Sequence, residues 1–350
     1  MRAEFLIVGQ GLAGTMLAWT LLQRGRTFII VDREEAITSS KVAGGLVTPI
    51  TGMRLTLNWR YDELYREALR FYRHKERILG RRLFFPRPHV RLLRNEREVE
   101  VWERRKLDEE IQPFITPLSG WPLVDGTRIS APLGGFQQSH SGFLDSAAFI
   151  AHSRRHFETL GVYRQGEVSE ESLQIADDGI GWESGDFSQV VLCQGWEVAK
   201  SRWFSWLPFD HTQGTVLSLR AETGEKRRII NSGCWVVTRE DGSMMAGSTY
   251  ETRFDHPHRP VPGGIEKLES KLRALVRSDV EVLGSQTAVR PGIKRNKAAV
   301  GRHPVQSRIV LMNGLGSKGA LRGPYLARKL TEHLIDGAPL EAEIDLQSNL

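Results

Sequence analysis

Read for its apolar positions, the chain opens on a buried-strand pattern. Phe5, Leu6, Ile7 and Val8 run without a polar break, as a strand covered on both faces does. Leu12, Met16, Trp19 and Leu22 then recur near helical spacing, Gly25 marks the helix end, and Phe28 to Val31 form a second buried run. Between the first strand and its helix lie Gly9, Gln10, Gly11, Leu12, Ala13 and Gly14, and Asp32 ends the second strand. After a Ser-, Thr- and Gly-rich stretch without periodicity, residues 59 to 79 predict an amphipathic helix. Its stripe of Tyr61, Leu64, Tyr65, Ala68, Leu69 and Tyr72 suits core packing better than a cofactor box.

From about Arg81 the texture changes. LFFPRPHVRLL reads as strand broken by proline and REVEVWERRKLDEEI as helix, followed by short strands and turns to about Gly135. AAFIAHSRRHFETLG predicts a helix closed at Gly161, and SQVVLCQGW a buried strand that returns to the first sheet. GTVLSLR, CWVVTRE and SMMAGSTYE read as antiparallel strands, with a hairpin at residues 240 to 242, and IEKLESKLRALVR as a helix. The tail RIVLMNGLGSKGALRGPYLARKLTEHLIDG repeats the opening order of buried strand, glycine turn and helix. A chain that starts and ends on one sheet predicts discontinuous domains. Residues 1–80, 140–205 and 286–350 form a nucleotide-binding unit, and 81–139 with 206–285 form a second unit on a mostly antiparallel sheet.

Length agrees with two units, since 350 residues exceed the usual size of a single core. At 40% hydrophobic and 26% charged the composition is that of an ordinary globular protein. No apolar run approaches the roughly 20 residues that span a bilayer. The first strand begins so near Met1 that a removable signal peptide has no room, which predicts a cytoplasmic protein. Two cysteines, Cys193 and Cys234, make neither a disulfide framework nor a metal cluster, and the ten histidines show no metal-ligand spacing. A net charge of +6 suits an anionic substrate, a nucleic-acid partner or a merely solvated surface.

The opening segment carries the strongest chemistry. Gly9 permits a tight turn, Gly11 lets a pyrophosphate approach the backbone, and Gly14 lets the helix pack closely on the sheet. The helix N-terminus presents unpaired N–H groups and a positive dipole end to phosphates. Asp32 stands where a carboxylate accepts ribose hydroxyls, which favours FAD or NAD over NADP. The alternative is a glycine turn with no ligand.

Four motifs in order carry a resemblance: GQGLAG with Asp32, SSKVAGGLVTP, VVLCQGW, and AVRPGIKRNKAAVGRHP followed by NGLGSKGALRGPYLA. Together they resemble the D-amino-acid oxidase superfamily of FAD-dependent oxidoreductases, which includes glycine oxidase and sarcosine oxidase. Locally the chain is similar to the FAD-dependent half of the bifunctional tRNA wobble-uridine-modifying enzymes. The resemblance implies an α/β fold with a Rossmann-like FAD-binding domain and an α+β second domain. It also implies FAD bound without a covalent tether, because neither cysteine stands at a matching position. Gly9, Gly11, Leu12, Ala13, Gly14, Asp32 and Arg33 would hold the ADP half. Ser39, Ser40, Gly44, Gly45 and Leu46 would line the pyrophosphate and one edge of the flavin ring. Gly195 and Trp196 match a turn that closes over the cofactor, and Val168 would contact the adenine through its backbone.

In the C-terminal turn, Gly314, Gly316, Ser317, Lys318 and Gly319 bring helix N–H groups and a cation toward the negative charge that a reduced flavin develops. A capping turn with Lys318 in solvent is the bland alternative. Arg290, in TAVRPG, stands where the superfamily's amino-acid oxidases hold the substrate carboxylate, a task that suits a planar guanidinium. A structural ion pair is its alternative. Tyr250 in AGSTYE fits a hydrogen bond to the substrate or a place in the core, and Arg54, Gln213 and His211 are polar neighbours with no spacing argument. The clustered arginines of residues 88 to 106 suit tRNA or a solvated face.

The resemblance thus implies an enzyme that oxidises the C–N bond of an amino acid or carboxylated secondary amine to an imine, with hydride passing to flavin N5. A tRNA-modifying oxidoreductase and a non-catalytic flavin-binding assembly subunit are the rival readings. The sequence carries no signature of oligomeric state, of the amine, or of the electron acceptor.

Overall fold

The structure is a computed structural model that describes residues 2–118, 128–183 and 185–349. Residues 119–127, part of the stretch read as short strands and turns, lie outside the described residues.

The opening strand Arg2–Val8 occupies the middle of an eight-stranded sheet, which is why its apolar run needs no polar face. It pairs in parallel with Phe28–Asp32 and with Gly185–Leu192, so that Val8 lies between Val31 and Leu192. Tyr163–Gln165 and Ile309–Asn313 extend the parallel set on either side. Ala299–Arg302, Ile180–Trp182 and Gln174–Ile175 complete the sheet antiparallel.

Helix α1 (Leu12–Gln23) follows the first glycine turn, and the single turn α2 (Ser39–Val42) lies in the stretch that had no periodicity. On α3 (Tyr61–Leu79) the predicted stripe is buried except Leu69, which is half-buried. The α4 (Glu96–Arg105) and α5 (Ser146–Thr159) helices cover their predicted segments, as do α6 (Gly264–Leu275) and α7 (Gly319–Asp336). The α1 and α7 helices cross closely over one face of the sheet, where a Cβ on Gly323 would stand 2.2 Å from Met16 Sδ. Tyr72, Phe84, Phe149 and Phe157 from α3, α5 and their neighbours fill the same layer. Trp182, Phe187, Phe204 and Leu346 seal the opposite face.

A second eight-stranded sheet runs in the order Val280–Arg290, Thr212–Ala221, Met244–Gly247, Trp235–Thr238, Ile229–Asn231, His89–Leu92, Gly135–Gln138 and Ile115–Leu118. Its pairs are antiparallel except Ile229–Asn231 with His89–Leu92. The expected hairpin joins Trp235–Thr238 to Met244–Gly247. Leu268, Leu272 and Leu275 of α6 pack on the apolar face of this sheet. Val280–Arg290 continues unbroken through residue 285, and Phe84–Pro86 pairs with Gly142–Leu144 in a small sheet that also takes Leu46–Val47.

Two charged residues extend the buried stripe of α3. Glu76 Oε1 accepts hydrogen bonds from Leu83 N at 2.7 Å and Phe84 N at 2.8 Å, which anchors the chain as it leaves the helix. Lys75 is only 1% exposed. Its Nζ lies 4.9 Å from the Trp19 ring centroid and 5.2 Å from that of Phe71, with Gln23 Oε1 at 3.4 Å. Burial lowers its pKa to about 8, below the value it has in an unfolded chain. The cost of holding this charge is therefore present below pH 8 and fades as pH rises toward the unfolded value. Replacing Lys75 by Met should stabilise the fold by on the order of 1 kcal/mol at pH 7, after the lost cation–π contact is discounted. Thermal unfolding should show this gain shrinking between pH 8 and 10.

Candidate active site

The parallel strands all end at one edge of the first sheet, and a cleft of about 1000 Å³ opens there. Its floor is the Gly9–Gly14 turn. Gly9 has φ +99°, and a Cβ on it would lie 2.8 Å from Cys193 O; a Cβ on Gly14 would lie 1.9 Å from Gly9 O. Both glycines are therefore demanded by backbone contact. At the start of α1, Gly11 offers no side-chain cap, and Ser40 Oγ from α2 accepts the Leu12 N–H at 3.0 Å. Gly11, Leu12 and Ala13 thus turn the helix N-terminus to the cleft.

Asp32 is held from several sides. Its Oδ2 accepts Gln10 N–H at 2.6 Å, and its Oδ1 accepts Glu34 N–H at 2.8 Å and Arg154 Nη2 at 3.3 Å. Arg154 also donates to Gln10 Oε1 and pairs with Glu34, so a half-buried cation on α5 orients the carboxylate. Arg33 lines the same cleft with its charge shared among Glu35, Glu167 and Glu197. Val168 is buried on the cleft wall. Gly195, at φ +62°, and Trp196 close another side, and Asn313 Nδ2 donates to Gly195 O at 2.7 Å. His258 also reaches this wall, a residue for which the sequence carried no signal.

A second cleft of about 1280 Å³ continues from the first, and Leu12, Ser39, Ser40, Pro291 and Leu315 line both. Gly44, Gly45 and Leu46 form one wall. Gly45 has φ +63°, and a Cβ there would stand 1.9 Å from Leu144 O. Gly316, Ser317, Lys318 and Gly319 form the facing wall at the uncapped start of α7. Gly314 lines neither cleft; its backbone is pressed on Ala298 at φ +77°. Lys318 is half-buried, and burial, helped by Arg322, lowers its pKa to about 8.

The second sheet supplies the rest. Arg290 ends its strand with the guanidinium laid flat over Gly214, where a Cβ would be 1.8 Å from Nη2. It donates through Nη1 to Gln213 O at 3.2 Å and through Nη2 to Ser248 Oγ at 2.8 Å and Thr249 O at 3.1 Å. Burial lowers its pKa, and among the described residues no carboxylate pairs with it. A cation fixed by neutral acceptors is a site for an external anion. Tyr250 is 64% exposed, outside the core, with its ring 5.7 Å from the guanidinium. Gln213 is buried and supports Arg290 only through its backbone, His211 Nδ1 accepts Gly292 N–H, and Arg54 is exposed.

At the far end of this cleft lies His89, in a segment read only as a strand. Gln138 Oε1 accepts from Ile50 N and from the Thr48 hydroxyl, and His89 Nδ1 lies 2.9 Å from Thr48 Oγ1 and 3.2 Å from the Gln138 amide Nε2, which donates to it. Nε2 is buried without a hydrogen-bond partner, and burial together with Arg91 and Lys318 holds the imidazole neutral, with a pKa of about 3. Arg91 and Arg94 pair with Glu98, and Arg105 and Lys106 have acidic partners, so much of the basic cluster around α4 is ion-paired.

The model of the FAD dependent oxidoreductase family matches residues 4–333. The chain belongs to this family. Over 97% of its length the oxidoreductase is 25% identical to a glycine oxidase of Pseudomonas aeruginosa, covering 98% of that protein. It is 23% identical to an uncharacterized oxidoreductase of Bacillus subtilis, over 98% of this chain and 97% of that one. A match at 24% identity to a tRNA 5-methylaminomethyl-2-thiouridine biosynthesis bifunctional protein of Marinobacter nauticus takes in 94% of the chain but spans only 55% of that relative. Among solved structures, glycine oxidase from Geobacillus kaustophilus superposes with a TM-score of 0.79 at 17% identity, covering 97% and 96% of the two chains. Iminodiacetate oxidase from Chelativorans superposes at 0.78 and 18%, covering 97% and 98%.

The oxidoreductase is FAD-dependent, and its residues fit the cofactor. Two helix starts whose N-cap residues make no side-chain cap, and glycine turns held close to neighbouring backbone, face one continuous groove. Burial pushes the Cys193 thiol well above its ordinary pKa and Cys234 to about 11, which suits FAD held without a covalent bond. No helix among the described residues is long and apolar enough to cross a membrane.

Replacing Gly214 by Ala should drive the Arg290 guanidinium off its three acceptors. Urea denaturation should register a loss of about 2 kcal/mol or more, whereas an unchanged midpoint would mean that the guanidinium has room elsewhere.

Proposed function

We propose that the protein oxidises the C–N bond of an amino acid or a carboxylated secondary amine to an imine, with the substrate carboxylate on Arg290. The observation that carries this reading is the guanidinium of Arg290, laid over Gly214 in the wall of the groove without a carboxylate of its own. Its backbone and hydroxyl acceptors fix the plane of the fork, so a carboxylate bound to it is oriented as well as attracted. Tyr250, with its ring 5.7 Å from the guanidinium, is assigned to the outer side of the bound carboxylate.

FAD, when bound, supplies the acceptor for the hydride of the substrate carbon. The ADP half is assigned to Gly9, Gly11, Leu12, Ala13, Gly14, Asp32, Arg33, Val168, Gly195 and Trp196. The walls formed by Ser39 to Leu46 and Gly316 to Gly319 are assigned to the pyrophosphate and flavin ring. Gly314 is assigned to shaping the turn from behind. The two domains are taken as residues 1–80, 140–205 and 286–350, and residues 81–139 with 206–285.

No aspartate or glutamate lines the inner cleft among the described residues, and His89 stays neutral down to about pH 3. The substrate amine therefore gives its proton to water and reacts as the free base. Lys318 keeps a positive charge beside the cleft below about pH 8, where it favours negative charge developing in the pyrimidine ring. The match to a tRNA-modifying relative favours a second reading, in which the carboxylated amine is carried on a nucleoside; salt-dependent binding of tRNA at low ionic strength separates the two.

Anaerobic mixing with small carboxylated amines should bleach the visible absorbance of the flavoprotein. Arg290→Leu should raise KM for these amines on the order of 100-fold, the loss of a charged bidentate pair, and Arg290→Lys should recover part of it. An unaltered KM in Arg290→Leu would remove the substrate assignment. Lys318→Met should slow flavin reduction below pH 8 and converge with the wild type above it, because Lys318 gives up its proton as pH rises through about 8.

A further inference from the structure

The strand registers put the inner cleft on one face of the second sheet. Thr212 pairs with Arg290, Gly214 with Ala288, and Val216 with both Gln286 and Gly247. Gly247 pairs in turn with Trp235, Trp235 with Asn231, and Asn231 with Arg91. Directly paired residues point to the same side of a sheet, as do residues two apart along a strand. Arg290, Gly214, Gly247, Trp235, Asn231 and Arg91 therefore share this face.

Two glycines on neighbouring strands leave a trough in it, and two large side chains fill the trough. Arg290 covers Gly214. Trp235 covers Gly247, where a Cβ would lie 2.5 Å from indole Cζ2. The same edge of the indole is held from above, because a Cβ on Gly44 would lie 2.5 Å from Cη2 and 2.7 Å from Cζ2. The benzene ring of Trp235 is thus clamped between the backbone of the second sheet and the backbone of the Gly44 loop. Ser248, the residue after Gly247, is the one whose hydroxyl accepts from Arg290 at 2.8 Å. On the other side of the indole the face continues through Asn231 to Arg91 and His89, which also line the cleft.

We propose that Trp235 is a specificity-determining residue: a fixed wall that bounds the chamber beside Arg290, separates it from the polar chamber of Asn231, Arg91 and His89, and so limits the bulk a carboxylated substrate carries beyond its carboxylate. This inference rests on the assignment of Arg290 to the carboxylate. A wall clamped by two backbones does not swing aside, so the limit is steric and built in. It acts on substrate size and leaves the clamp itself intact.

The test compares the wild type with Trp235→Ala and Trp235→Phe, all loaded with FAD. One readout is kcat/KM for glycine, alanine, leucine and phenylalanine. The other is the dissociation constant of acetate and of benzoate, from isothermal titration calorimetry. Trp235→Ala should raise the phenylalanine-to-glycine ratio of kcat/KM at least tenfold and tighten benzoate relative to acetate by a similar factor, with Trp235→Phe between the two. Unchanged ratios in both readouts would overturn the wall. Arg290→Leu is the control: if wild type and this variant bind acetate alike, the carboxylate assignment has failed, whereas a lost acetate site with unchanged size ratios in the Trp235 variants sinks the wall alone. Should Trp235→Ala fail to fold, the Trp235→Phe ratios decide on the same terms.

Discussion

Backbone packed directly on backbone is the constraint from which the architecture of this protein follows. Gly14 stands so close to the Gly9 carbonyl that α1 can leave the first strand only at a short turn, and Gly9 itself lies against the next strand at Cys193. The helix N-terminus is thereby brought to the end of the parallel strands without a side chain in the way. Ser40 Oγ takes the Leu12 N–H of α1, and the remaining first-turn donors of a helix start at such a place suit an anion. The same arrangement recurs at the other end of the chain, where Gly314 presses on Ala298 and α7 begins uncapped at Lys318. Because Ile309–Asn313 joins the sheet beside Gly185–Leu192, both helix starts face one groove.

The second sheet uses glycine for a different purpose. Gly214 and Gly247 lie where a Cβ would collide with Arg290 and Trp235, so these positions hold large side chains flat against the sheet in place of side chains of their own. A guanidinium pinned in this way keeps its charge, since its acceptors are carbonyls and a hydroxyl, none of which neutralises it. Several other arginines behave differently. Arg33, Arg94, Arg105 and Arg328 are matched with carboxylates on neighbouring loops and helices. Arg87 and Arg302 are also held by carbonyls, so what marks Arg290 out is that its guanidinium, held in this way, lines the cleft.

Much of this was legible in the residues. The unbroken run Phe5 to Val8, the spacing of Leu12, Met16 and Trp19, and the position of Asp32 lead to the observed strand, helix and strand, since each pattern reflects contacts made within a short stretch. The stripe on α3 and the hairpin at residues 240 to 242 were equally plain. Other features had no local signal. Lys75 and Glu76 continue a buried stripe because Trp19, Phe71, Leu83 and Phe84 come to meet them from distant parts of the chain. His89 looks like any strand residue until Thr48 and Gln138 come to hold its Nδ1 from distant parts of the chain.

The sequence by itself determined the nucleotide-binding end of the molecule, because glycine turns, helix caps and buried runs are set by neighbours a few residues apart. Only the tertiary structure decided how the wall around Arg290 is built. Arg290 over Gly214 and Trp235 between Gly247 and Gly44 join segments widely separated in the chain, and their meaning lies in strand register and in the absence of a Cβ at a distant position. No pattern along a chain encodes which of its many glycines will lie beneath which side chain; pairing across the sheet does.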